Sequence, residues 1–227
     1  MQIGQIQNYV WLTILLIALF IAVLLELFFA FTEKENLRKG FKVFPLLFLT
    51  IVGIYMAPNH PLLYIASFLG FLGDLLIIFE KKKVFFYIGG VSFFVGHILY
   101  LILMLTVNGI SYSWYHYLIA GICLIALVIV FKIALKKQFN LLQSICAALY
   151  FGILFLLLVN SIVISIKYSV PSMLLITLGY VLFIISDTIL VIKDFIKEFK
   201  RDDFYVMSTY LFAQISIMIG FLMVITN

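Results

Sequence analysis

Long apolar runs, separated by short polar connections, fill the whole chain. Each run is about 20 residues long, which is the length that an α-helix needs to cross about 30 Å of hydrocarbon. The pattern therefore predicts eight transmembrane helices, and the short connections make consecutive helices antiparallel neighbours. The predicted spans are residues 9–31, 41–57, 62–79, 84–107, 114–135, 141–166, 171–193 and 204–226.

The composition excludes a soluble domain. The chain has 227 residues, of which 66% are hydrophobic and 11% charged, whereas about a quarter of an ordinary soluble domain is charged. We therefore expect residues 1–227 to form a single all-α domain, a polytopic membrane helix bundle. Cys123 and Cys146 both lie in apolar runs, so we interpret them as small buried hydrophobic residues rather than a disulfide or metal pair.

The basic residues are distributed unevenly and predict the orientation. Fourteen of the 15 lie in or beside the first, third, fifth and seventh connections, and Lys167 is the exception. By the positive-inside rule these connections are cytoplasmic and both termini are non-cytoplasmic. We expect a multi-pass protein of the cell (inner) membrane, whose net charge of +5 reflects orientation and indicates no nucleic-acid partner.

Three carboxyl groups interrupt the apolar runs near their cytoplasmic ends. At 1.5 Å per residue, Glu26, Asp74 and Asp187 each lie roughly 8 to 9 Å inside the predicted helix end. A carboxylate in the membrane costs at least about 2.5 kcal/mol, so such groups face the bundle interior or a wet cavity. The alternative is an interhelical clasp in which each Asp is protonated or paired with Lys42. Three acids at one level favour a functional site.

Other polar residues lie on neighbouring spans at this level or deeper, with Tyr210 at roughly 9 Å, Gln214 at roughly 15 Å and His97 at roughly 20 Å, near the midplane. His97 and Tyr100 share a face of the fourth helix, and Tyr210 and Gln214, four residues apart, share a face of the eighth. Lys42 lies at the cytoplasmic end of the second span. We expect these five side chains to surround the carboxyl groups, although each spacing alone is also a common packing pattern.

A faint internal repeat relates the two aspartates. "GDLLII" and "SDTILVI" occur near the ends of the third and seventh helices, and the helices that follow carry "FFVGHILY" and "YLFAQISI". The repeat is compatible with two similarly oriented four-helix halves. Convergent membrane packing would produce the same pattern.

These motifs also carry a family resemblance. "FLGDLLII", "FFVGHILY", "LFIISDTILVI" and "TYLFAQISI" resemble, in order and spacing, the YhhN-like membrane proteins, the lysoplasmalogenase family. "FKVFPLLF" is similar to the family's Lys–Pro segment, except that two residues separate Lys42 from Pro45, and Tyr150 is similar to a tyrosine of the family's sixth helix. The resemblance implies hydrolysis of the vinyl-ether bond of lysoplasmalogens to a fatty aldehyde and a glycerophospho-alcohol.

Two carboxyl groups suit that chemistry. A vinyl ether is hydrolysed when an acid protonates its β-carbon, and water then adds to the resulting oxocarbenium ion. A second carboxylate can stabilise the cation and accept a proton from water, as in glycosidases. We expect Asp74 and Asp187 to be the catalytic pair, and the sequence does not decide which is the acid. No metal or other cofactor is required.

The remaining polar residues are assigned to the substrate, a lysophospholipid taken from the bilayer. Lys42 is expected to meet its phosphate, and Glu26 is interpreted as the salt-bridge partner of Lys42. The other expected substrate-binding residues are His97, Tyr100, Tyr210 and Gln214. The oligomeric state, the headgroup and the chain length are left open by the sequence.

Two other functions share the same features. Intramembrane carboxyl groups and a two-half repeat are typical of proton-coupled transporters, and a non-catalytic lysolipid-binding protein would have a similar pocket. Against transport, no helix shows a Gly or Pro break near the midplane. The four prolines, at positions 45, 58, 61 and 171, all lie at or near predicted helix ends.

Overall fold

The fold consists of long apolar helices. A computed structural model describes residues 2–79, 83–108, 125, 129, 141–168 and 171–226, and within these ranges there is no β-strand. The described helices are α1 (Gln2–Phe31), α2 (Glu35–Phe41), α3 (Phe44–Met56), α4 (Pro61–Ile77), α5 (Lys83–Asn108), α6 (Leu141–Tyr168), α7 (Ser172–Phe195) and α8 (Asp202–Thr226).

Six helical segments of the described chain are long and apolar enough to cross a membrane. They are α1, α2 with α3, α5, α6, α7 and α8, and they correspond to six of the predicted spans. The third span is present as α4, which is apolar but has only 17 residues. The predicted span 114–135 and Cys123 lie outside the described residues, apart from Ile125 and Ile129. Cys146 is exposed on α6, so the expectation that it is buried is wrong.

The second predicted span, 41–57, corresponds to α3, and the chain before it, which was predicted as a connection, forms the short helix α2. α2 ends at Phe41 and α3 begins at Phe44, with Pro45 in its first turn. A proline ring in a continuous helix would clash with the carbonyl four residues earlier, here that of Phe41, and proline has no N–H to bond to it. The helix therefore breaks just before Pro45, and Lys42 lies in the break as the residue that caps α2.

Small residues bring the helix pairs together. α4 packs against α5, and α7 packs against both α6 and α8. A Cβ added at Gly179 of α7 would lie 2.5 Å from Ile217 Cγ1 and 3.0 Å from the Ala213 carbonyl oxygen of α8. A Cβ at Gly73 of α4 would lie 2.5 to 2.8 Å from the Phe93 ring of α5. Glycine at position 179 therefore lets the α7 and α8 backbones approach this closely, and glycine at position 73 leaves room for the Phe93 ring.

The first and seventh connections meet at one end of the bundle. The Arg201 backbone N–H donates to Glu33 Oε1 at 3.2 Å, and the Arg201 guanidinium lies 3.9 Å from the centre of the Phe31 ring. We call this end, which also carries Arg38, Lys42 and Lys193, the basic end. The two connections lie together as the antiparallel arrangement requires, and which side of the membrane they face remains a prediction.

Candidate active site

Asp74 lies at the basic end of α4 and has two partners from other elements. The Tyr210 hydroxyl of α8 donates a hydrogen bond to Asp74 Oδ2 at 2.8 Å. Lys42 Nζ, from the break between α2 and α3, lies 3.7 Å from Asp74 Oδ1. Asp74 is buried, and the Lys42 side chain is largely buried. Asp74 is therefore part of a protected ion pair that also accepts a phenol hydrogen bond.

Asp187 has a simpler environment on α7. The Tyr150 hydroxyl of α6 donates to Asp187 Oδ2 at 2.7 Å, and the residue is half-buried. Within the described ranges, no Lys or Arg nitrogen lies within salt-bridge distance of this carboxyl group. Asp187 therefore has a neutral hydrogen-bond donor and, in the part of the chain that the structure describes, no cationic partner.

The structure brings the two acids into one neighbourhood. The link between them runs through Tyr210 of α8, whose hydroxyl binds Asp74. Phe183, one turn before Asp187, packs edge-on against the Tyr210 ring with the centroids 5.5 Å apart. The third and seventh predicted helices thus turn their aspartates towards a common region, with one tyrosine hydroxyl bound to each.

His97 lies deeper in the bundle, enclosed by aromatic rings. Its centroid is 4.6 Å from that of Phe183, 5.8 Å from Tyr180, and 6.2 Å from both Tyr100 and Tyr150. The imidazole is buried, and its Nδ1 has no hydrogen-bond partner among the described residues. Because Tyr150 contacts the imidazole with its ring and Asp187 with its hydroxyl, it connects the histidine to the acid.

Gln214 and Tyr100 complete the set that the sequence predicted. Gln214 is buried one turn after Tyr210, and its Oε1 has no hydrogen-bond partner in the part of the chain that the structure describes. Its amide nitrogen lies beside α4, where a Cβ added at Gly70 would be 3.6 Å from Nε2, an ordinary van der Waals distance. Tyr100 stacks on Phe221 with the centroids 5.3 Å apart, so its ring mainly packs the core beside His97.

The expected pairing of Glu26 with Lys42 is wrong. Lys42 pairs with Asp74 instead. Glu26 is 0% exposed, and neither carboxyl oxygen has a hydrogen-bond partner among the described residues. The sequence could place Glu26 and Lys42 at one level of the membrane, but it carried no signal for which acid the Lys42 side chain reaches.

Sequence reasoning also missed several residues around the site. Arg38 Nη2 lies 3.1 Å from Asp203 Oδ2, and Lys193 Nζ lies 2.7 Å from Asp203 Oδ1. These three were interpreted only as parts of polar connections. Tyr180 and Phe183 precede Asp187 by seven and four residues, so helical spacing alone could have placed them on its face.

The residues that the structure describes contain no group of three or more His, Cys, Asp or Glu side chains that could hold a metal ion. The chemistry available here is that of two carboxyl groups, their tyrosine donors, one lysine and one enclosed imidazole. Such a set can transfer protons and stabilise a developing positive charge.

Comparison with known proteins identifies one family. The YhhN family model matches residues 37–221, a range that contains every site residue described above except Glu26. No curated protein and no solved structure matches the chain.

Proposed function

The chain belongs to the YhhN family, and from this premise we propose that it is an integral membrane hydrolase that cleaves the vinyl-ether bond of lysoplasmalogens. The observation that carries the proposal is the pair of carboxyl groups, Asp74 and Asp187, which come from separate helices and each accept a tyrosine hydrogen bond. Hydrolysis of a vinyl ether needs one acid and one carboxylate, and this pair can supply both.

The surroundings of the two acids assign their roles. The Lys42 ammonium, 3.7 Å away, stabilises the ionised form of Asp74, because an opposite charge at this distance favours the charged state. Within the described ranges, the hydrogen-bond donor to Asp187 is the neutral Tyr150 hydroxyl. We therefore assign Asp187 as the general acid and Asp74 as the carboxylate.

The reaction follows in three balanced steps. Asp187 transfers its proton to the β-carbon of the vinyl ether, which leaves an oxocarbenium ion that the Asp74 carboxylate stabilises. Water adds to the cationic carbon and gives one proton to a carboxylate, forming a hemiacetal. The carbon–oxygen bond to glycerol then breaks as the protonated carboxyl group gives its proton to the glycerol oxygen and the other carboxylate takes the proton of the hemiacetal hydroxyl, which releases a fatty aldehyde. One water is consumed, and both carboxyl groups return to their starting states.

Four further side chains have supporting roles in this proposal. Tyr210 holds Asp74 in place through its 2.8 Å hydrogen bond, and Gln214, one turn later on α8, can orient the water or the glycerol oxygen. His97 is enclosed by rings and reaches the acid only through Tyr150, which makes it a positioning residue. The distance from Lys42 to Asp74, 3.7 Å, is long for a hydrogen bond and leaves its N–H groups able to donate to a phosphate.

The direct test is aldehyde release by the purified protein in detergent. We expect free aldehyde from a vinyl-ether lysolipid and none from the alkyl-ether or ester analogue. Asp187→Asn should lose this activity while remaining folded, because the amide cannot donate a proton to carbon. Asp194→Asn, the same change on the exposed part of α7, is the matched control and should retain it. Absence of aldehyde with the wild-type protein, or a normal rate with Asp187→Asn, would refute the proposal.

The position of the prolines favours hydrolysis over proton-coupled transport. Pro45 and Pro61 lie in the first turn of α3 and α4, and Pro171 caps α7. The interiors of the described helices therefore contain no proline, whereas transporters typically bind substrate at discontinuous helices. Aldehyde release in detergent, where no gradient exists, excludes pure transport and pure lipid binding together.

The basic end is proposed to face the cytoplasm, which would place both chain termini on the opposite side. The basis is the concentration of lysine and arginine at this end. A reporter fused after Asn227 should be active only outside the cytoplasm, and a cytoplasmic signal would reverse the orientation.

A further inference from the structure

Glu26 is a buried acid that the proposed reaction does not use. It lies on α1, outside the residues that the family model matches. The side chain is 0% exposed, and both oxygens lack a hydrogen-bond partner among the described residues. The helix that carries it, α1, packs against α2, α3 and α8, and the charges of Arg38, Lys42, Asp74 and Asp203 act on it through space. Glu26 therefore belongs to the charge cluster at the basic end.

The other two carboxyl groups of this cluster are already engaged. Asp203 binds both Arg38 and Lys193, and Asp74 binds Tyr210 and Lys42. Glu26 is the carboxyl group of the cluster whose acceptors are unused. A buried carboxylate with no hydrogen-bond donor is strongly disfavoured, because attraction to neighbouring charges does not offset the free energy lost when its hydrogen bonds to water are removed.

The cluster also contains a donor without an acceptor. Arg38 is 8% exposed, and its Nε finds no hydrogen-bond partner in the described part of the chain. Lys42 Nζ is 3.7 Å from its nearest carboxylate oxygen, so its N–H groups are also incompletely used. A ligand that carries both an anion and a hydrogen-bond-donating cation would satisfy both sets of atoms.

We propose that Glu26, Arg38 and Lys42 form a subsite for a lysophospholipid headgroup in which a phosphate is joined to a primary ammonium. Arginine and lysine supply the charge-assisted donors that phosphate oxygens accept. The two free oxygens of Glu26 accept N–H hydrogen bonds from the ammonium. A trimethylammonium group has no N–H and is typically recognised by aromatic faces instead, so it cannot satisfy Glu26.

The position of this subsite relative to the reacting bond rests on the proposed function. Lys42 contacts Asp74, so a phosphate held by Lys42 would place the attached glycerol beside the carboxyl pair. The headgroup preference itself depends only on binding, and it can be measured with lipids that the proposed reaction does not cleave.

The test compares three ester lysolipids as ligands of the purified protein: lysophosphatidylethanolamine, lysophosphatidylcholine and lysophosphatidylglycerol. The wild-type protein should bind the ethanolamine lipid about tenfold more tightly than the other two, the effect of one charge-assisted hydrogen bond. Glu26→Gln should remove this difference and leave the other two affinities unchanged, whereas Glu26→Asp should keep part of it. The matched control is Glu35→Gln, which removes a solvent-exposed carboxylate of α2 and should preserve the wild-type preference.

A second series uses only the wild-type protein, so misfolding of a variant cannot affect its result. Stepwise N-methylation of the ethanolamine headgroup should lower the affinity most at the third methyl group, which removes the last N–H. Equal wild-type affinity for the ethanolamine and choline lipids, or an equal loss for all three lipids in Glu26→Gln, would overturn the subsite. Because the probes are not cleaved, failure to release aldehyde would refute the hydrolase proposal alone.

Discussion

The helix pairs α4–α5 and α7–α8 resemble each other closely, but the side chains that contact the aspartate differ between them. In each pair the first helix carries Asp74 or Asp187, and the second carries a buried His97 or Gln214. Asp74 faces an ammonium group at 3.7 Å, whereas Asp187 contacts, among the residues that the structure describes, a phenol and no ammonium or guanidinium group. Similar local motifs therefore acquire different chemistry from the partners that other helices supply.

Those partners also join the two pairs into one site. The hydroxyl that binds Asp74 comes from Tyr210 of α8, the second helix of the other pair. The hydroxyl that binds Asp187 comes from Tyr150 of α6, outside both pairs. Neither pair contains a complete environment for its own acid, so the two aspartates become different only in the assembled bundle.

The largest expected effect separates the two acids directly. Asp187→Asn should lower the single-turnover rate of aldehyde release about 10⁴-fold, and Asp74→Asn about 10²-fold, the two ends of the range for general acid–base groups. The first change removes the proton donor, and the second removes a carboxylate that stabilises charge. A greater loss in Asp74→Asn would reverse the assignment of the roles.

Removing the cation from Asp74 should make the two environments alike. Lys42→Met should lower kcat about 100-fold. Without the Lys42 ammonium, Asp74 loses the positive charge that keeps it ionised beside Asp187, and breaking a buried ion pair is costly. Lys42→Arg should preserve most of kcat. If Lys42→Met instead raised KM with kcat unchanged, Lys42 would serve only the phosphate.

The contacts within the two helix pairs should differ in their tolerance of one added methyl group. Gly179→Ala should lower the free energy of unfolding by about 3 kcal/mol and Gly73→Ala by about 1 kcal/mol, because overpacking costs more when the opposing atoms cannot move. The first Cβ would meet the α8 backbone, and the second would meet a side-chain ring.

Gly90 provides the control for these substitutions. A Cβ there would have nothing within 4 Å, so Gly90→Ala should change stability by no more than about 1 kcal/mol, the difference in helix propensity. Unfolding in detergent, followed by circular dichroism, measures all three variants. Equal costs at positions 73, 90 and 179 would contradict the close helix contacts.

The smallest expected effects concern the two tyrosine hydroxyls. Tyr210→Phe should lower the free energy of unfolding by about 2 kcal/mol and Tyr150→Phe by about 1 kcal/mol, because a hydrogen bond to a charged acceptor is worth more than one to a neutral acceptor. Both variants keep the ring and its packing. Unfolding in detergent measures both variants. A larger loss of stability in Tyr150→Phe than in Tyr210→Phe would contradict an ionised Asp74.

Part of the fold was accessible from the sequence because its signals are local. Six predicted spans correspond to long apolar helical segments, and the length of an apolar run is a property of the run itself. The start of α3 was also encoded locally by Pro45, whereas the short polar helix α2 falls in a predicted connection. The family resemblance was likewise carried by short motifs, and the family match over residues 37–221 confirms it.

The sequence by itself determined that this is an all-helical membrane protein and placed its acids near the helix ends, because hydrophobicity and helical rise act along one dimension. Only the tertiary structure decided that Lys42 pairs with Asp74, that Tyr150 binds Asp187 and that Glu26 is left without a donor. These outcomes depend on how each helix is rotated and which neighbour it faces. Helical spacing places a side chain on one face of its own helix and carries no information about the helix that packs opposite.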